Sequence, residues 1–117
     1  MSPADTLRNI LFHVRGVRDL MQPAPSPDMV YAMERSVERA IDVIGAKVKL
    51  LPIDLLARHP QVDWKEIIHF GESVRDSRRN VDTPLLDWLA NRVIPSLEQP
   101  VLAMIAEVEA VERTLNG

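Results

Sequence analysis

A chain of 117 residues with net charge −3 has room for one domain, and 46% apolar with 26% charged residues is a globular composition, not a disordered one. The absence of cysteine excludes disulfide frameworks, thiolate catalysis and cysteine-ligated zinc or iron–sulfur centres. No apolar run approaches the ~20 residues that span a bilayer, Met1-Ser2-Pro3-Ala4-Asp5 has neither the basic nor the apolar region of a signal peptide, and the charge balance gives no global pull toward nucleic acid or anionic membrane, so a cytoplasmic protein is the expectation.

The dominant pattern is helical. Leu7, Ile10, Leu11, Val14, Val17, Leu20 and Met21 recur at steps of three and four and predict a first amphipathic helix. Gly16 falls inside that pattern, and the run Pro23-Ala24-Pro25-Ser26-Pro27 stops it. Ser26 as N-cap, Pro27 at the first helical position and Asp28 in the first turn open a second helix. Its stripe is Val30, Met33, Val37, Ala40, Ile41, Ile44, Val48 and Leu51. Pro52 ends it or starts a short helix over Ile53 to Arg58, which His59-Pro60 closes.

Asp63 with Glu66 three residues on is a capping box for a third long helix, with Trp64, Ile67, Ile68 and Val74 facing inward. Arg75-Asp76-Ser77-Arg78-Arg79-Asn80 is too polar for core and reads as a helix end or loop. Thr83-Pro84 restarts a helix whose stripe runs from Leu85 and Leu86 through Leu89, Val93, Leu97, Val101, Met104, Ile105, Val108 and Val111 to Leu115. Pro95 and Pro100 fall inside it and predict kinks or a break into two helices. No stretch alternates with period two, and five aromatic residues are few for a β-sandwich or a base-stacking surface. The predicted fold is all-α: a single domain over 1–117, an antiparallel four-helix up-and-down bundle with one short extra helix. The wide apolar arc of the last helix, Leu102 included, points to a homodimer, with a well-wrapped monomer as the alternative.

Chemistry-bearing patterns are sparse. Glu66-x-x-His69 with Glu72 places three metal-capable side chains along one helix, but a ferritin-like di-metal site needs the Glu-x-x-His pair twice; Glu34 and Glu38 offer carboxylates and no second pair exists. The ordinary reading is a solvated face with a capping glutamate, and no metal or cofactor is assigned. Arg75, Arg78 and Arg79 form a basic cluster, diluted by Asp76 and Asp82, that suits RNA phosphates or an acidic partner surface; a charged, solvated helix terminus is the favoured reading. His13 lies off the first stripe, His59 precedes Pro60 as a capping or packing residue, and neither they nor His69 have a serine–acid pair at recognisable spacing.

Ile41-Asp42-Val43-Ile44-Gly45-Ala46, then Leu51-Pro52, then Arg58-His59-Pro60-Gln61-Val62-Asp63-Trp64-Lys65-Glu66-Ile67-Ile68 resembles the HepT-like branch of the HEPN superfamily. Val81-Asp82 and Pro95 also fall where that family has a Val-Asp and a proline in its last helix. The likeness covers nearly the whole chain. It implies a helical bundle that dimerises and, in active members, a metal-independent ribonuclease toxin partnered by a small MntA-like nucleotidyltransferase antitoxin.

The family's activity sits in an Arg-Asn-x-x-x-His motif followed two residues later by a tyrosine that the antitoxin modifies with AMP. Such a histidine moves protons at the ribose 2′-OH or the leaving oxygen, and the arginine steadies the overcharged phosphorus. Here the arginine position holds Gly71, the asparagine position Glu72, the histidine position Asp76 and the tyrosine position Arg78. Each change removes a function: no cation, two added negative charges, no group titrating near neutrality, no acceptor hydroxyl. Arg79-Asn80 has Pro84 where a shifted motif needs histidine, and His69 and Arg75 stand about 120° apart around a helix. The expectation is a protein of toxin–antitoxin ancestry without ribonuclease activity, acting by binding a nucleotidyltransferase-type partner or as a dimeric scaffold, with any RNA binding weak. Its rivals are an active ribonuclease with relocated catalytic residues, a metal enzyme on Glu66, His69 and Glu72, and a bundle that pairs only with itself.

Overall fold

The computed structural model describes residues 2–22, 26–76 and 82–116. In chain order it contains α1 (Pro3–Leu20), α2 (Val30–Val48), the short α3 (Ile53–Ala57), α4 (Trp64–Asp76), α5 (Thr83–Trp88) and α6 (Glu98–Asn116), and no strand among the described residues. The fold is an all-α bundle, as the periodicity predicts.

α1 begins before its apolar stripe does. Ser2 caps it: the Ser2 hydroxyl accepts the Asp5 N–H at 3.2 Å while the Asp5 carboxylate accepts the Ser2 N–H at 3.3 Å, and Pro3 takes the first helical position. That box lies N-terminal to the first predicted residue, Leu7. Ser26 makes no side-chain cap. A 3-10 turn over Pro27–Met29 leads into α2 instead. The restart near Thr83 also differs. Asp82 holds the N-cap position, and the Thr83 hydroxyl reaches Glu34 at 3.5 Å on α2.

The proline question resolves into one interruption. A π turn over Leu89–Val93 and a 3-10 turn over Pro95–Leu97 join α5 to α6, and Pro100 sits in the first turn of α6 without breaking it. Proline lacks an N–H and crowds the carbonyl four residues back. The widened turn relieves this, with the Ile94 N–H donating to Leu89 O at 2.8 Å. The Asn91 amide and Ser96 hydroxyl donate to the Asp87 and Val93 carbonyls at the two ends of the widened turn.

α2 packs against both α1 and α4, and α1 also against α6. Leu7, Ile10, Val14, Ile41, Ile44, Val48, Leu89, Ile94, Leu97, Val101 and Met104 form the centre of one continuous core. Each such side chain contributes about 1.5–3 kcal/mol by leaving water. Along the exposed α1–α6 edge, Arg8 pairs with Glu109 at 2.6 Å, and Arg15 and Arg18 with Glu98 at 3.0 and 2.9 Å.

α2 and α4 meet at two glycines. A Cβ on Gly45 would stand 3.3 Å from the Cα of Gly71, and a Cβ on Gly71 would stand 2.9 Å from the backbone oxygen of Ile41. The second distance is below any real contact, and backbone on both sides cannot rotate away. Gly16 is the opposite case, mid-helix with open space where its Cβ would be. Gly71→Ala is therefore expected to destabilise by about 1–3 kcal/mol through overpacking. Gly16→Ala is expected to stabilise by about 0.5–1 kcal/mol through helix propensity. Urea denaturation of the two variants checks the opposite signs.

Candidate functional site

α4 carries the motif positions, and its placement starts at its N-terminus. Asp63 Oδ1 accepts the Glu66 N–H at 3.1 Å. The Trp64 indole N–H is shared by the carbonyls of Leu56 and His59, each at 3.1 Å. These bonds fix the rotation of α4 so that Trp64, Ile67, Gly71 and Val74 face the core. Gly71 thus lies on the buried stripe at the α2 crossing. Glu72 is partly exposed and ion-paired with Lys49, and that hydrogen bond, followed by the lysine's charge, holds its carboxyl below the ordinary range. Asp76 is exposed at the helix end. Gly71 is thus withdrawn from the face that Glu72 and Asp76, four residues apart on α4, share. Arg78 and Arg79 lie outside the described residues.

Arg75 is tied down. Its Nε and Nη2 donate to Asp42 Oδ1 of α2 at 2.9 and 2.6 Å. An open groove of about 500 Å³ runs alongside, lined by Arg35, Glu38, Arg39, Asp42, Val74 and Arg75. Arg35 pairs with Glu38 and lies 5.1 Å from the centre of the Tyr31 ring. Three guanidiniums against two carboxylates leave this groove only mildly cationic, and Arg75, the one described member of the basic cluster, spends its charge on Asp42 at the surface. Sequence reading missed Asp42 as its partner, because no local spacing links residues 33 positions apart.

The histidines separate. His69 Nε2 lies 3.5 Å from the Ser73 hydroxyl, while Arg75 points to Asp42, so those two do not converge. His13 is partly buried against α2, where burial first, then the charges of Arg39 and Lys47, push its pKa down. His59 holds a place no spacing revealed: its Nε2 is 2.8 Å from Glu107 Oε2 on α6, and the Arg58 guanidinium binds the other Glu107 oxygen. The Arg-His-Pro turn is thereby clamped to the last helix. Among the described residues no three histidine, aspartate or glutamate side chains are grouped to hold a metal ion. The Glu66, His69, Glu72 alignment gives no such centre, with Glu72 drawn to Lys49. Among the described residues no helix is long and apolar enough to cross a membrane.

No family model and no solved structure matches the chain. One curated protein does, from Methanocaldococcus jannaschii, whose name joins gamma-glutamylcyclotransferase to a provisionally assigned RNase; it is 25% identical over 77 residues, 66% of this chain. The match covers 35% of that protein's length, so the chain corresponds to about a third of it.

Glu107 gives the site a pH signature. The hydrogen bond from His59, then that from Arg58, holds its carboxyl below the ordinary carboxylate range. A carboxyl depressed in the fold stabilises at pH above its unfolded value, and that contribution is lost as pH falls through the folded value. Glu107→Gln is therefore expected to lower Tm at neutral pH and to converge with the wild type below the carboxylate range. Thermal melts from neutral pH into acid check this.

Proposed function

We propose that this chain is a HepT-like helical domain of toxin–antitoxin ancestry that has lost its ribonuclease centre and acts by binding, to a nucleotidyltransferase-type partner or as a dimeric scaffold. The reading rests on the quoted resemblance, on a helical frame of the kind it implies, and on RNase standing in the name of the Methanocaldococcus jannaschii protein. One observation carries the loss of activity. The position that needs a guanidinium is Gly71, and a Cβ there would press to 2.9 Å from the Ile41 carbonyl. The chain has committed that position to a helix crossing. Asp76 and the Lys49-bound Glu72 leave the neighbouring positions without an imidazole or an uncharged amide. Exposed apolar residues on α6, Val111 at 55% and Leu115 at 81%, are available for association.

Purified protein incubated with tRNA and mRNA without metal, beside an active family member, is expected to leave the RNA intact. Cleavage that disappears in His69→Ala or Arg75→Ala overturns the reading. Rebuilding the motif with Gly71→Arg, Glu72→Asn and Asp76→His is expected to lower Tm without restoring cleavage, because the arginine has no room at the crossing. A folded, cleaving triple variant overturns the claim that the crossing excludes a guanidinium at position 71.

A second reading, an active ribonuclease with relocated groups, has one observation in its favour: Arg58 and His59 bring a guanidinium and an imidazole to the same Glu107 carboxylate. Cleavage abolished by His59→Asn, with the variant folded, is its signature.

A further inference from the structure

The π turn that accommodates Pro95 opens a cleft against α4. It holds about 290 Å³, near the lower end for small-molecule sites. Ile67 and Leu97, both buried, form its floor. Phe70 and Trp88 form an edge-to-face pair at its end, ring centres 5.4 Å apart at 84°. Glu66 stands on one rim and Arg92 on the other.

Among the described residues the charges of Glu66 and Arg92 are unspent. Asp63, also on the rim, uses Oδ1 on the Glu66 N–H, and the Ser96 hydroxyl is used on the Val93 carbonyl. The Glu66 carboxylate and the Arg92 guanidinium make no hydrogen bond or ion pair with each other or with any other described residue. Two long side chains of opposite charge line one cleft and do not close on each other. A polyanion meets two carboxylates on the α4 rim. A simple amine leaves Arg92 without a counter-charge, and a simple acid leaves Glu66 facing a like charge.

We propose that this cleft binds a small zwitterion of the amino-acid class, with its ammonium on Glu66, its carboxylate on Arg92 and an apolar side chain against Phe70 and Trp88. The guanidinium fork suits a carboxylate, and the aromatic end wall suits hydrocarbon. The proposal is independent of the ribonuclease question, because none of these residues occupies a motif position.

The probes are L-leucine, isopentylamine (leucine without its carboxylate) and isocaproate (leucine without its amine), titrated into the full chain. The readout is the NMR resonance of the Trp88 indole N–H, assigned by its loss in Trp88→Phe; Trp88 is 45% exposed and Trp64 is buried. Leucine is expected to shift it saturably, with either one-ended analogue at least about tenfold weaker. Glu66→Gln is expected to weaken leucine about tenfold while sparing isocaproate, and Arg92→Gln to weaken leucine similarly while sparing isopentylamine. Both residues are exposed and have no partner among the described residues, so the variants fold. No saturable shift, equal binding of all three probes, or wild-type leucine binding in either variant overturns the proposal.

Discussion

The site depends on a close backbone approach between two helices. With Gly45 and Gly71 face to face, α2 and α4 come near enough that any side chain at either position meets main chain. That proximity allows Arg75 to reach Asp42 and Lys49 to reach Glu72. It also fixes the rotation of α4, sending Glu66 and Phe70 to one side and Arg75 to the other. A helix crossing is usually set by ridges of side chains in grooves. Here it is set by their absence, and Gly71 allows the close contact with the Ile41 backbone.

The residues that carry the family resemblance mostly have structural work in this chain. Ile41, Ile44 and Gly45 build the α2 side of the crossing. Trp64 closes its indole N–H on the Leu56 and His59 carbonyls. Arg58 and His59 clamp the turn to Glu107. A frame of this kind persists for reasons of packing and hydrogen bonding whether or not chemistry is retained, because fold and site are separate requirements.

Much of the fold was legible because helices declare themselves through spacing. Val37, Ile41, Ile44 and Val48, and likewise Leu89, Leu97, Val101 and Met104, recur at helical intervals and are buried as those intervals require. Local caps were less legible. The Ser2–Asp5 box precedes any apolar periodicity, and Ser26 and Thr83 have the right side chains for caps they do not make. The candidate site was least legible. Glu107 is 48 residues from His59, and Asp42 is 33 from Arg75. Such pairings follow from helix rotation, which one sequence does not state. The glycine pair was visible as residues but not as a contact, since a missing Cβ leaves no mark in a hydrophobic pattern.

Pro95 connects the fold to the cleft through the same logic. A continuous α-helix through it leaves a backbone acceptor unpaired and brings the ring against the preceding turn. The chain widens that turn over Leu89–Val93, and the carbonyls of Asp87 and Val93 accept from the side chains of Asn91 and Ser96. Ile94, Leu97 and Val101 nevertheless remain buried, so the core passes the interruption without a gap. The adjustment appears on the other side of the helix, where Arg92 and Trp88 line the cleft facing Glu66 and Phe70. A backbone irregularity forced by one proline thus sets the Arg92 guanidinium and the Glu66 carboxylate along one cleft, and among the described residues neither charge has a partner.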